Sequence, residues 1–361
     1  MSESYITGTG AFLPGAAVDN DSIQRYLGRL PGERRVRAKI LRANGIRTRH
    51  YALDTAQKAT HTVYELAAAA VRACTANRDA PPVVDYLAAG STHTPLLAPG
   101  IGSLVHDQLK REGVVDGPIE ISSSAGICTS GAQALVHADR AVRSGDATAA
   151  VAVGVEQSSV ALKSKAFRPV YDVGAILRNV RTSKWFMSVF LRFMLSDGAG
   201  AFLLESRPRA GGHSLRVNWS YSRSFANEAP LCMYLQSNPI RLSQDVTILA
   251  RHMEPLALRA LEGALVDHKE ALTDYTVILP HLSSYYFEPV VRRAIDALSP
   301  ERRVPYWTNL HSAGNTGAAS IFIMLDEYLR TETLHSGDRV LLFVPESGQF
   351  NFVVVSLTVV S

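Results

Sequence analysis

Short apolar runs rich in β-branched and aromatic residues alternate with longer amphipathic or small-residue stretches along the whole chain, and this interleaving restricts the fold most. The runs YITGTGAFL, VVDYLAAG, TAAVAVGVE and AGAFLLES fall in the first half, and LRVNWSYS, YTVILP, VLLFVPES and FNFVVVSLTVV in the second. Between them lie helical stretches such as HTVYELAAAAVRACTAN and DVTILARHMEPLALRALEGALV. Strands interleaved with helices predict a layered α/β architecture and disfavour all-α and all-β folds. With 361 residues, 47% of them hydrophobic, the chain can bury one large core or two halves of roughly 150–200 residues.

Several function classes are disfavoured at once. The balance of 37 basic against 33 acidic residues leaves a net charge of only +4, which gives little support to nucleic acid as a partner. The opening MSESYITGTG lacks a basic run leading into an apolar core. No uninterrupted apolar stretch approaches the roughly 18–20 residues of a membrane span, so a soluble, cytoplasmic protein is expected. Cys74, Cys128 and Cys232 are too few and too scattered for a disulfide framework or a metal site with paired ligands. The early GTG lacks the third glycine and the acidic partner of a dinucleotide fingerprint.

A weak internal repeat suggests duplication. Ser124-Ala125-Gly126-Ile127-Cys128-Thr129-Ser130-Gly131-Ala132 and Ser312-Ala313-Gly314-Asn315-Thr316-Gly317-Ala318-Ala319 both start Ser-Ala-Gly. Each then places one functional side chain at a turn and runs through small residues toward an apolar helix. The Gly- and Pro-rich segment 205–214 is the expected break between halves. Chance similarity of two Gly/Ala-rich turns is the plainer alternative.

The same segments carry the chemistry. A cysteine at the head of a helix meets unpaired N–H groups and the helix dipole, which lower its pKa and favour the nucleophilic thiolate. Gly126, Ser130, Gly131 and Ala132 leave room for a substrate arm beside Cys128. His281 directly follows the apolar strand YTVILP, and strand ends are where α/β proteins present functional side chains. Asn315 sits in the matching turn of the repeat, 315 − 281 = 34 residues later. Each has an ordinary structural reading by itself: a packed thiol, a satisfied histidine, a turn asparagine. The three together are far more specific.

In that order and spacing, Cys128, His281 and Asn315 resemble the Cys-His-Asn triad of β-ketoacyl-acyl carrier protein synthase III enzymes. The similarity extends over nearly the whole chain through ITGTGAFLPGAAVDN, NGIRTRHYA, LSDGAGAFLL, LPHLSS and GNTGAAS. The resemblance implies a thiolase fold, with duplicated βαβαβαββ halves in a five-layered αβαβα sandwich. It places the halves at 1–208, including a cap insertion at about 157–195, and at 209–361. It also implies a homodimer without metal or redox cofactor, whose substrates are acyl and malonyl thioesters on coenzyme A or on the phosphopantetheine of an acyl carrier protein. Cys128 would carry the acyl group. His281 and Asn315 would bind the extender's thioester carbonyl during decarboxylation, and the amides of Cys128 and Gly348 would form the oxyanion hole.

The chain also departs from that pattern. The family's C-terminal Gly-Gly-Gly turn is Glu346-Ser347-Gly348, and its His-Gln-Ala-Asn motif is His281-Leu282-Ser283-Ser284, where a serine hydroxyl could supply a hydrogen bond to the histidine. Lys39 and Ala43 stand where the family has the Trp and Arg that clamp adenine, which favours a carrier-bound primer, with Arg42 able to meet a phosphate. Leu96 and Leu97 resemble the loop that reaches the partner's acyl pocket, and His93 is a candidate polar contact. Arg292 and Arg293 fall where the family places cations for carrier docking. The cap carries Lys163, Lys165, Arg168, Arg178, Arg181, Lys184 and Arg192 against Asp172, together with Phe167, Trp185, Phe186 and Phe190. It reads either as a solvated face or as a lid whose cations attract a carrier and whose aromatics cover the acyl chain. Such a cap resembles condensing enzymes of specialised metabolism, including those making dialkylresorcinols. An acyltransferase that forms no carbon–carbon bond and a non-catalytic subunit of a heterodimer are the competing readings. Cys74 and Cys232 are expected to be packing thiols.

Overall fold

The apolar runs become strands buried on both faces. The computed structural model describes residues 2–76, 78, 82–171, 173, 176, 179, 183–237 and 240–361. The first part of the chain forms β1 (Tyr5–Phe12), β2 (Val18–Asp19), β3 (Thr48–Arg49), β4 (Tyr86–Ser91), β5 (Glu120–Ala125), β6 (Ala149–Glu156) and β7 (Gly198–Glu205). The second forms β8 (Ser214–Ser224), β9 (Met233–Ser237), β10 (Ile240–Gln244), β11 (Val277–Pro280), β12 (Arg339–Pro345) and β13 (Asn351–Val360). Among the described residues, nine of these make one mixed sheet in the order β11-β12-β13-β8-β1-β7-β6-β4-β5.

That order mirrors itself about the β8–β1 junction, where Tyr5 pairs with Arg216 and Ile6 with Leu215. β6 is parallel to β4 as β12 is to β11. The pairs β6–β7 and β7–β1 are antiparallel, as are β12–β13 and β13–β8. The outermost strand breaks the mirror. β5 runs parallel to β4 over six residues, but its counterpart is a single parallel bridge between Ile278 and Tyr306. Pro305 accepts a hydrogen bond from the Ile278 amide at 3.0 Å yet has no N–H with which to extend a ladder.

Side-chain alternation on these strands generates the layers. Ala150 and Ala152 of β6, with Leu342 and Val344 of β12, face a shared inner core containing helices Thr129–Ser144 and Ser320–Thr331. Val151 and Val153 face the other way, onto helices Val63–Thr75 and Ile101–Arg111. Leu341 and Phe343 face helices Val246–His268 and Glu288–Leu298. The result is helix, sheet, helix, sheet, helix. Helix Val63–Thr75 starts in a capping box, Thr62 accepting from the Glu65 amide at 3.3 Å while the Glu65 carboxylate accepts from the Thr62 amide at 2.7 Å.

The central layer is unusually close. A Cβ at Gly131 would lie 2.0 Å from the Ala318 carbonyl oxygen, and one at Gly154 would lie 2.4 Å from it. Glycine at both positions lets the Asn315 turn press against the Cys128 helix.

The segment expected to form a cap supplies helices Ser159–Leu162 and Lys184–Arg192. Arg178, Arg181 and Asp172 lie outside the described residues. Arg192 is no surface cation: it is fully buried, bonded to Glu33 at 2.6 Å and to the carbonyls of Leu162, Leu27 and Gly28. A guanidinium removed from water needs that full set of acceptors. Phe167, Trp185 and Phe190 are buried, and Phe186 packs partly buried against the same core, with Ile23, Leu27 and Ile40.

Candidate active site

The strands deliver their functional residues at one end. Thr92 and His93 follow β4, Cys128 lies three residues beyond β5, Glu156 ends β6, His281 follows β11 and Glu346 follows β12. In open α/β sheets the carboxyl ends of parallel strands form the ligand crevice. Here they surround Cys128, which lines two adjoining cavities. One contains Asn315, Glu156, His93, Leu162, Leu191, Met194, Met233 and Leu242. The other contains His281, Leu249, Met253, Phe287, Val291 and Phe343. Both are walled mainly by apolar side chains. Cys128 therefore faces Asn315 in one cavity and His281 in the other.

Cys128 stands immediately before helix Thr129–Ser144, where the sequence predicts an N-terminus. The charge there is not as expected. The buried Glu346 carboxylate accepts from the Ile127 amide at 3.1 Å, the Thr129 amide at 3.0 Å and the Thr129 hydroxyl at 2.5 Å. Its other oxygen accepts from Asn351 Nδ2 at 3.0 Å. The Glu that replaces a glycine of the family's turn thus caps the nucleophile's helix. Burial, then the nearby carboxylates Glu346 and Glu156, push the Cys128 thiol well above its ordinary pKa, opposite to the shift expected from helix position alone. The amides flanking Cys128 are taken by Glu346, whereas among the described residues the Gly348 amide has no hydrogen-bond acceptor and the Cys128 amide meets only its own sulfur.

His281 is buried, and burial lowers its pKa to about 4, so the ring is neutral near pH 7. Nδ1 lies 2.9 Å from the Ser320 hydroxyl, while Nε2 is buried without a hydrogen-bond partner among the described residues. The serine beside His281 is thus neither Ser283 nor Ser284. Ser284 accepts from the Tyr286 amide, and Ser283 lines both cavities. Asn315 uses its own Oδ1 to accept the Gly317 amide at 3.0 Å and its backbone to bond Met194 and Ser196. Its Nδ2 is left as the available donor. Glu156 accepts from the Thr92 hydroxyl at 2.6 Å and the Ala318 amide at 3.4 Å, and burial raises its pKa to about 7. Glu346, Glu156, Ser320 and the wall formed by Met233, Leu235 and Leu242 were missed by sequence reasoning. The Gly-to-Glu change in the Glu346-Ser347-Gly348 turn is the signal that could have found Glu346.

Other expected residues lie elsewhere. Trp185 and Phe186 do not line either cavity; the cap reaches them through Ala161, Leu162, Leu191, Met194 and Leu195, because its aromatics are used to anchor it to the core. Arg292 is bonded to Glu288 at 2.7 Å and Arg293 to Glu254 at 2.6 Å, so their charges are compensated rather than free for an acidic partner. Arg42 is exposed on helix Arg34–Asn44, outside both cavities. Leu96 is half-exposed and Leu97 almost wholly so, and neither lines this chain's cavities. Cys74 and Cys232 are buried, and burial pushes both thiols up to about 12.

Two family models match the chain, the thiolase N-terminal domain over residues 42–179 and the 3-oxoacyl-[acyl-carrier-protein] synthase III C-terminal domain over residues 271–349. These matches make the chain similar to the thiolase superfamily and, within it, to synthase III condensing enzymes. It is 24% identical over 345 residues to the β-ketoacyl-[acyl-carrier-protein] synthase III of Xanthomonas oryzae pv. oryzae, covering 94% of this chain and 93% of that protein. The thiolase fold is shared with solved structures. A variant of Xanthomonas campestris OleA superposes with a TM-score of 0.77 at 18% identity, covering 99% of this chain and 98% of the other. FabH from Pseudomonas aeruginosa PAO1 gives 0.73 at 20% identity over 99% and 98% of the two chains. AbyA1, a tetronic acid condensing enzyme, gives 0.73 at 24% identity over 98% and 99%.

Proposed function

We propose that this enzyme joins a Cys128-bound acyl group to the enolate of a malonyl or 3-oxoacyl carrier-protein thioester. The observation that carries the reading is the position of Cys128 at the meeting of two cavities, one holding Asn315 and the other the unpartnered Nε2 of His281. The thiol attacks an acyl thioester, its proton leaves with the departing pantetheine thiol, and a new thioester forms on Sγ. In the second step Nε2–H of neutral His281 and Nδ2–H of Asn315 hydrogen-bond the extender's thioester carbonyl, which becomes the enolate oxygen as carbon dioxide departs. Ser320 donating to Nδ1 keeps the ring proton on Nε2. The enolate carbon attacks the acyl carbonyl, whose oxygen is held by the amides of Cys128 and Gly348, and Cys128 leaves as thiolate. No metal or redox cofactor enters these steps.

Two largely apolar cavities meeting at one sulfur favour an extender that brings its own chain, a 3-oxoacyl group, over malonyl. The boundaries 1–208 and 209–361 belong to this reading and agree with the mirrored sheet. So do a cytoplasmic location and a homodimer. Among the described residues no helix is long and apolar enough to cross a membrane. β5 is an edge strand with half of its residues exposed, the exposed Leu96 and Leu97 follow its neighbour β4, and an uncovered edge of this kind is suited to a second copy of the chain. His281→Ala is expected to load acyl groups at a near-normal rate and to lose condensation by 100-fold or so, the range typical of a removed oxyanion donor. Condensation at the unchanged rate in that variant would remove His281 from the mechanism.

A further inference from the structure

Helix Arg34–Asn44 turns Val36, Ile40 and Asn44 to the core at positions i, i+4 and i+8. Arg35, Lys39 and Arg42, at i, i+4 and i+7, fall on the opposite, exposed face as one stripe about 10 Å long. Arg34 lies beside it and Arg47 just past its end, both exposed. Among the described residues of this helix only Arg37 has an acidic partner, Asp21. Some arginines elsewhere are matched, Arg259 with Glu228, Arg292 with Glu288, Arg293 with Glu254 and Arg330 with Asp326, while others such as Arg241, Arg251 and Arg303 form no ion pair among the described residues, so the stripe is distinguished by its clustering on one helix face. Like charges at helical spacing repel, so a stripe left without counter-charge is a cost to the isolated chain.

The C-terminal end of this helix packs against segments that lead to the active site. Gly45 ends the helix in the left-handed conformation, and a Cβ there would lie 2.7 Å from the Tyr285 ring. Tyr285 is four residues beyond His281, and Ser283 between them lines both cavities. Past Gly45, the Arg47 amide donates to the His311 carbonyl at 2.9 Å, four residues before Asn315.

We propose that this exposed face of helix Arg34–Asn44, rather than the helix bearing Arg292 and Arg293, is the docking surface for an acidic acyl carrier protein. The inference rests on the condensing-enzyme reading. Uncompensated cations beside the entrance attract an acidic partner over several ångströms and orient it, an effect that salt weakens. A thioester arm delivered there enters past Tyr285 and Ser283.

The test presents one acyl group in two ways, on an acidic fatty-acid-type acyl carrier protein and on pantetheine alone, and follows loading of Cys128 by intact mass. In Arg35→Glu/Lys39→Glu, kcat/KM for the carrier thioester is expected to fall roughly tenfold or more and to lose most of its salt dependence. Loading from acyl-pantetheine, which has no carrier to dock, should be unchanged and shows that the variant is folded. Carrier loading equal to that of the unaltered enzyme would overturn the docking surface while leaving the condensing reading intact. Equal loss with both thioesters would overturn it too, since the helix would then be supporting the site itself. Failure of the unaltered enzyme to load from either thioester would overturn both.

Discussion

Cys128 is held among carboxylates, which is an odd setting for a nucleophile. Burial, Glu346 and Glu156 all favour the neutral thiol, so the resting enzyme is protonated at sulfur and the thiolate gains population only at high pH. Glu346→Gln keeps an acceptor for the Thr129 amide and removes one negative charge. Its rate of Cys128 alkylation by iodoacetamide should therefore rise through a lower pH range than that of the unaltered enzyme. Superimposable pH profiles would mean that the Glu346 charge is not felt at the sulfur. Cys128, His281 and Asn315 could be singled out in the sequence because each has distinctive chemistry, Cys128 and Asn315 among small residues and His281 directly after a strand. Glu346 and Ser320 were not, because their roles exist only through packing. Glu346 meets Thr129 across 217 residues of chain, and Ser320 meets His281 across 39.

At the scale of elements, legibility followed hydrophobic contrast. β6, β12 and β13 announce themselves as apolar runs. β5 reads EISSSA, with too few β-branched or aromatic residues to stand out, and it is the strand that leads to Cys128. The β9–β10 hairpin was equally silent, although Met233, Leu235 and Leu242 line the cavity with Asn315. In the segment expected to form a cap, the sequence left a solvated face and a charged lid both open, and one of its cations, Arg192, belongs to neither: it is bound to Glu33, which lies 159 residues earlier. That pair is almost completely buried, so Arg192→Ala strands a carboxylate in the core and should cost about 3–5 kcal/mol of unfolding free energy in denaturant titrations. A loss below about 1 kcal/mol would show that the buried pair contributes little.

The whole molecule is two copies of one α/β unit joined through β1 and β8, with the inner helices from each copy sharing a core. The Ser-Ala-Gly repeat foretold this pairing on a few residues, and the mirrored strand order gives it over the whole sheet. The mirror fails at the outer edges, where β5 is a full strand and Tyr306 only a bridge, so the two edges are suited to different uses. Sedimentation at micromolar concentration is expected to give a particle of twice the chain mass, through the β5 edge; a monomer that still condenses substrates would exclude any need for the partner. The measurement that tests the central claim most directly is the intact mass of the protein after exposure to a panel of acyl-carrier and acyl-coenzyme A thioesters, repeated after malonyl- or 3-oxoacyl-carrier protein is added. The account requires an acyl adduct that maps to Cys128, is absent in Cys128→Ala, and disappears on addition of extender as a carbon–carbon-coupled product forms. An adduct that the extender leaves in place would contradict condensation and favour acyl transfer to another acceptor, and no adduct with any thioester would contradict the nucleophile and favour a non-catalytic subunit.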